Sequence, residues 1–410
     1  TKFAIYTFHL IPFIYVSLML SIIMYKRLLT IDTEMKASVF LFGPRGTGKT
    51  HWLKNTFPSA IYLDLLDDAT YTELLGDPKA LSRKIPKAYN DWVIIDEVQK
   101  IPNLLNEVHR LIEHQDHRFI LTGSSARALR KKGVNLLAGR ALTYHMHPLT
   151  ATELSNDFDL AFSIKYGTLP MTYSVNNPEH FLKSYIQTYL KEEVQQEALT
   201  RSLSLFTKFL QTASFSQGET INYSNIAREI GSNHQSVRNF FDILEDLLIA
   251  YRLPVFTHRA KRDVITQPKF YYFDTGIYRA IRPKGVLDSE EELSGAAFET
   301  LFFQQAKALN DYFFWGYEFY YWRTRTQQEV DFVLYGERGL YAIEIKRKAK
   351  LTPQDFKGLY LFKKDYPMAK CIMLYGGDRT YYDNEVQVIP FATAIYSLDK
   401  LLTVMDCDHP

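Results

Sequence analysis

Cysteine is almost absent: Cys371 and Cys407 are the only two in 410 residues. That excludes a disulfide framework and a thiolate zinc site, and it fits a reducing compartment, with the cytosol as the expected location. Charge of one sign is missing too. Lys and Arg number 48 against 46 Asp and Glu, a formal net charge of +2, so any nucleic-acid contact has to come from a local basic patch. No internal repeat, low-complexity tract or Gly/Ser linker marks the chain, and domain boundaries are correspondingly soft. What is present is ordinary core material: 46% hydrophobic and 23% charged residues, which leaves ample apolar surface to bury and gives no sign of wholesale disorder. A chain of 410 residues exceeds one ordinary core, and the usual ~100 to 200 residues per domain implies two or three.

One long apolar run stands out. Phe3 to Met24 is nearly free of polar residues and just long enough to cross a bilayer as a helix, with Lys26 and Arg27 placed to keep the remainder on the cytoplasmic side. Against a span, His9 and Pro12 interrupt the run, the chain opens on Thr, and Met24 begins a sequence that reads as a complete soluble protein. The expectation is that Met24 is the true start and that residues 1–23 are a non-native segment, with a membrane anchor as the alternative.

From Ser38 the pattern is strand, glycine loop, helix. Gly43-Pro44-Arg45-Gly46-Thr47-Gly48-Lys49-Thr50 matches G-x-x-x-x-G-K-[ST] completely. Its glycines let backbone N–H groups close around phosphates, Lys49 reaches the β and γ oxygens of ATP, and the Thr50 hydroxyl ligates Mg²⁺. A chance glycine turn would not need to sit after a buried strand and before a helix. Strand candidates follow at Ala60 to Leu65, Trp92 to Ile95, Arg118 to Leu121 and Leu142 to His147, with a helix at Ile101 to His114. This alternation predicts an open α/β sheet with its ligand at the C-terminal strand ends. Ile94-Ile95-Asp96-Glu97 ends one such strand, on a neighbour of the P-loop strand by its spacing, in two carboxylates: Asp96 to hold Mg²⁺ through water and Glu97 to polarise the attacking water. Thr122, Ser124 and Ser125 end the next strand with hydroxyls placed to touch the γ-phosphate or that water. Arg140 is the candidate for a charge completing the site in cis or in trans, Arg127 being the other arginine nearby; acting in trans it would imply a homo-oligomer.

Glu153 to Leu210 reads as mainly helical. Tyr223 to Ile230, a Gly231 turn and Gln235 to Leu248 read as a helix-turn-helix, with Asn233, His234, Gln235 and Arg238 projecting as DNA-reading side chains and His258, Arg259, Lys261 and Arg262 as a basic cluster for phosphate. A packing module with a solvated loop fits the same residues. After Glu290 come a long helix (Gly295 to Leu309) and strands at Phe319 to Arg323, Val330 to Leu334 and Leu340 to Ile345. Glu299, Asp331 and Glu344 could bind a divalent cation, with Lys346, on the same strand face as Glu344, orienting or deprotonating a water for phosphodiester cleavage. The plainer alternative is a solvated acidic edge.

Taken together these motifs resemble prokaryotic AAA-type ATPases carrying a C-terminal domain of unknown function whose core is similar to the PD-(D/E)XK nucleases. The resemblance spans Met24 to Leu402 and rests on Gly43 to Thr50, Ile94 to Lys100 with Pro102, Leu121 to Ser125, Leu137 to Arg140 with Pro148-Leu149, Asp274-Thr275-Gly276, Glu329-Val330-Asp331 and Glu344-Ile345-Lys346. It implies ATP binding with Mg²⁺ and ATP hydrolysis, with the hydroxyls after Leu121 in the position such ATPases use as a sensor. The expected architecture is an α/β AAA-type ATPase domain (24–152), a helical and winged-helix middle region (153–289) and a C-terminal α+β restriction-endonuclease-like domain (290–410). The expected function is an ATPase acting on or near DNA with a metal-dependent nuclease domain, or else an ATP-gated binding switch whose nuclease-like domain does not cut.

Overall fold

The computed structural model describes residues 25–125, 140–190, 203–258, 266–285 and 290–403. The apolar run up to Met24, Arg127, Leu137 to Gly139, Arg259, Lys261, Arg262 and Cys407 lie outside the described residues. Among the described residues no helix is long and apolar enough to cross a membrane.

Five short strands, β1 (Ser38–Phe42), β2 (Ile61–Asp64), β3 (Trp92–Asp96), β4 (Arg118–Gly123) and β5 (Ala141–His145), form an all-parallel sheet in the order β2-β3-β4-β1-β5. β1 and β3 are buried at every position, which is why they read as continuous apolar runs rather than alternating ones. The expected strands are all present. One detail differs: β3 is not the neighbour of β1, because β4 lies between them. One face of the sheet packs on Leu74, Leu105, Val108 and Leu111. The other carries Val39, Leu41, Ile94 and Ile120 against Leu53, Phe57, Ala308 and Tyr312, so a helix from the far end of the chain completes it.

The middle region is helical, as expected. Helix Tyr223–Ile230 ends on Gly231 in the left-handed conformation (φ 71°), helix His234–Asp246 follows, and strands β6 (Ala250–Leu253) and β7 (Lys269–Tyr272) pair antiparallel behind it. The exposed Asn233 side chain accepts from Ser236 N at 2.8 Å and caps the second helix, a use that suits Asn at a helix start. Past β6 the chain is stitched to the C-terminal sheet, with Tyr321 N donating to Pro254 O and Phe256 N to Tyr321 O (3.0 and 2.7 Å).

Helix Glu290–Tyr312 leads into a six-stranded mixed sheet made by β8 (Glu318–Arg323), β9 (Glu329–Gly336), β10 (Gly339–Lys346), β11 (Lys370–Tyr375), β12 (Tyr381–Asp383) and β13 (Val386–Pro390). Its order is β12-β13-β11-β10-β9-β8, with β10, β11 and β13 parallel. A single apolar core runs from Ala151 through Phe241, Phe302 and Phe332 to Leu402. Middle and C-terminal regions therefore share their interior.

Candidate functional site

β1 delivers the chain into the phosphate loop at its C-terminal end. A side chain at Gly43 would place Cβ 2.3 Å from Met146 O, and Gly48 starts helix Lys49–Thr56 at φ 93°; glycine alone fits both requirements. The buried Lys49 ammonium donates to Gly43 O and Pro44 O at 2.6 and 3.2 Å, inside the loop. Tyr185 donates from its hydroxyl to Arg45 O at 2.8 Å, and its ring lies 3.3 Å from where a Gly46 Cβ would be. The middle region thus braces the loop from outside.

Although β4 separates the strands, Asp96 at the end of β3 reaches Thr50, whose hydroxyl donates to it at 2.8 Å. Tyr62 and Thr122 hydroxyls also donate to this carboxylate, and so does Glu97 N at 3.1 Å. Burial, followed by the negative charge of Asp96, raises the Tyr62 phenol well above its ordinary range, so it remains a donor. Glu97 is held in the left-handed conformation at φ 59°, ψ 43°, an unfavourable state for a non-glycine residue that is typical of functional positions. Its carboxylate accepts from Gln99 Nε2, and the same nitrogen lies 3.4 Å from Ser124 Oγ. Gly123 makes room for that amide, since a Cβ there would stand 2.4 Å from Gln99 Oε1. The three candidate hydroxyls are thereby sorted: Thr122 belongs to Asp96, Ser124 to the Glu97–Gln99 pair, and Ser125 is buried beyond them.

Arg140 is not brought to this site. Its carbonyl accepts from Ser38 N at the start of β1 (3.1 Å) and its side chain pairs with Glu113, placing it at the opposite end of β1 from the phosphate loop. Within this chain Arg140 therefore lies away from the phosphate loop, a placement the sequence could not show because it does not give the direction in which β5 returns.

Beside the loop lies a cavity of about 650 Å³, lined by Tyr25, Leu29, Ile31, Trp52, Pro170 and Met171 together with Gly46 to Gly48. Its largely apolar wall next to a phosphate cradle suits a planar base.

The C-terminal carboxylates do come together, with a partner the sequence reading missed. Lys269, from β7, is buried and pairs with Glu329 and with Asp331 at 3.5 Å, and stands 3.9 Å from Glu299. Tyr271 donates to Glu299 at 2.8 Å, Lys346 to Glu344 at 2.5 Å, and Ile345 N to Asp331 at 2.8 Å. Burial, with the nearby Asp331 charge, pushes Glu299 and Glu344 up to about 8. Burial opposes the Lys269 charge, but Tyr271 and the surrounding carboxylates more than offset this and raise it. Among the described residues no three His, Cys, Asp or Glu side chains are arranged to hold a metal ion; here an ammonium occupies the centre of the carboxylates.

Three family models match successive parts of the chain. Residues 36–155 match the family model described as an AAA domain. The match supports a P-loop ATPase of AAA type. Residues 158–288 and 294–394 match two domains of unknown function, DUF8612 and DUF4143. Uncharacterized proteins of Mycobacterium tuberculosis and Mycobacterium bovis are each 26% identical over 381 residues, covering 90% of this chain and 83% of theirs. An uncharacterized protein of Haemophilus influenzae is 23% identical over 59% of this chain and 64% of its own. Among solved structures, the Aeropyrum pernix ORC1 protein in complex with DNA matches at TM-score 0.26 and 15% identity, over 60% of this chain and 86% of that one. A Vibrio cholerae protein matches at 0.21 and 12%, over 89% and 97%. At those scores neither likeness carries an argument about fold or ligand.

Proposed function

We propose that the chain is a Mg²⁺-dependent ATPase that uses hydrolysis to control a C-terminal domain acting on or near DNA. The observation that carries the ATPase reading is the meeting of Thr50, Asp96, Glu97, Gln99 and Ser124 at the mouth of the P-loop. The 2.8 Å contact between Thr50 and Asp96 fits both as holders of Mg²⁺, which would supply charge neutralisation at the β and γ oxygens. Lys49 exchanges its two carbonyl partners for phosphate oxygens, and the N-terminal N–H groups of its helix face the same charge. Glu97 takes the proton of the attacking water while Gln99 fixes the carboxylate's direction. The Tyr62 and Thr122 hydroxyls keep Asp96 oriented. Glu97→Gln should still bind ATP but release phosphate at least ~10²-fold more slowly; hydrolysis at the native rate would sink the assignment.

His234, Gln235 and Arg238 at the head of the second helix support contact with DNA, with Arg238 and His234 packed on the Tyr223 ring (5.0 and 5.4 Å). For the C-terminal centre, the ion-paired Lys269 favours recognition of protein or nucleic acid without cleavage. Mn²⁺-dependent cutting of single-stranded, duplex or branched DNA that Asp331→Ala abolishes is the result that would restore the nuclease reading.

A further inference from the structure

The stretch from Tyr25 to Ile31 walls one side of the nucleotide cavity. Tyr25, Leu29 and Ile31 line the cavity beside the phosphate loop, and so does Arg27, whose guanidinium is buried against the protein. Its Nη1 donates to Thr47 O in the loop at 3.3 Å, and its Nη2 donates to His147 O at 2.6 Å and to the Tyr312 hydroxyl at 2.8 Å. Its Nε lies 3.0 Å from Glu153 Oε1, an oxygen that also accepts from Leu28 N. Burial works against the Arg27 charge, and Glu153 and Tyr312 more than offset it. Tyr312 in turn accepts from His147 N at 3.0 Å, and its neighbour Asp311 holds the His147 ring at 2.7 Å. Through Nη1 at Thr47 and Nη2 at Tyr312, this arginine therefore joins the nucleotide site to the end of one helix.

That helix, Glu290–Tyr312, carries Glu299 of the carboxylate centre. Thirteen residues separate Glu299 from Tyr312, about 20 Å at the helical rise. Between them Gln304 donates to Thr168 Oγ1 at 2.5 Å, and Gln305 both accepts from Ala151 N (2.7 Å) and donates to Leu149 O (3.1 Å). Leu301, Phe302, Ala306 and Leu309 are buried along its length. A helix held at so many points moves as one body.

We propose that this helix is a strut that transmits nucleotide occupancy from the phosphate loop to the Glu299 centre, and that Arg27 and Tyr312 are the positioning residues that couple its end to the loop. The inference rests on the ATP reading of the loop. A base entering the cavity presses on the Tyr25 to Ile31 segment, and phosphates fix the loop that carries Thr47, so the ligand favours one arrangement of the arginine's partners over another. Only such a differential contact can shift a conformation, and the coupling must run both ways.

The test uses the full chain. ATP binding is measured first, then backbone hydrogen exchange with and without saturating ATP and Mg²⁺, for the native protein, Tyr312→Phe and Leu309→Val. Tyr312→Phe removes one hydroxyl and no bulk; Leu309→Val is a packing control on the same helix. The expected result is that ATP slows exchange in the peptide spanning residues 293–312 in the native chain and in Leu309→Val, and does not in Tyr312→Phe, which binds ATP about fivefold more weakly. Equal slowing in Tyr312→Phe, or none in a native chain that binds ATP, overturns the proposal. A native chain that binds no ATP overturns the ATPase reading and this inference with it.

Discussion

Adding one methyl group at Gly123 should slow the proposed ATP hydrolysis about 100-fold without touching ATP. The Cβ of an alanine there would lie 2.4 Å from Gln99 Oε1 and 3.2 Å from Gln99 Cδ, whereas ordinary contacts begin at 3.4 Å. The amide must therefore retreat by about 1 Å, which breaks its bond to Glu97 and its 3.4 Å approach to Ser124. A displacement of about 1 Å near the reacting groups costs on the order of 10²-fold in rate, or about 2.7 kcal/mol. The fold should tolerate it, because Gly123 is not among the positive-φ glycines and the obstacle is the end of a flexible side chain. Steady-state phosphate release is the assay: Gly123→Ala should lower kcat about 100-fold and leave KM for ATP nearly unchanged. The decisive comparison is the double variant. Once Gln99→Ala has removed the amide, the next atom is Ser125 O at 3.5 Å, an ordinary contact, so the second substitution should add nothing. A Gly123→Ala protein that hydrolyses normally, or a loss that multiplies with that of Gln99→Ala, refutes the role of Gln99.

Two further outcomes follow from the carboxylate centre. Lys269→Met keeps most of the volume but leaves Glu299, Glu329 and Asp331 without their buried cation, and should cost about 3 to 5 kcal/mol in urea unfolding, with Lys269→Arg recovering part; an unchanged midpoint would show that the ion pairs contribute nothing. The second concerns pH. Glu299 and Glu344 are raised from 4.5 to about 8, so between those values the folded chain keeps protons that the unfolded chain has released. Their contribution is fully present below pH 4.5 and is lost as pH rises through about 8. Glu344→Gln, which mimics the protonated form, should flatten the fall in unfolding midpoint across that window; an equally steep fall would refute the assignment.

What could be read from the sequence was whatever is contiguous in it. Gly43 to Thr50 and Ile94 to Glu97 announce themselves because a phosphate loop and a strand-end carboxylate pair are short local patterns, and the helix and strand carrying Glu299 and Asp331 were legible from periodicity. Tyr62, Gln99, Lys269 and Arg27 were not. Each acts through a partner brought close only by tertiary packing: Arg27 and Tyr312 are 285 residues apart, and nothing in either neighbourhood signals the other. Gln99 had a local clue, lying two residues past Glu97, but a glutamine after an acidic pair is common on solvated loops. Asn233 shows a further ambiguity, since a helix cap and a DNA-reading side chain look alike in sequence and only the fold reveals the bond from the Ser236 N–H.

The far face of the parallel sheet, completed by Ala308 and Tyr312, also sets a timetable for synthesis. Tyr312 follows Thr50 by 262 positions, so at ~5 to 20 residues per second roughly 13 to 52 s pass between the emergence of the phosphate loop and that of the helix that closes over its sheet. The shared core from Ala151 to Leu402 lengthens the wait, because the middle helices have no finished interior until the last strands and helices leave the ribosome. A nascent chain halted near residue 289 would expose the apolar sides of Tyr251 and Tyr271, whose rings pack on Phe303 and Phe332, making it a client for chaperones rather than a smaller working protein.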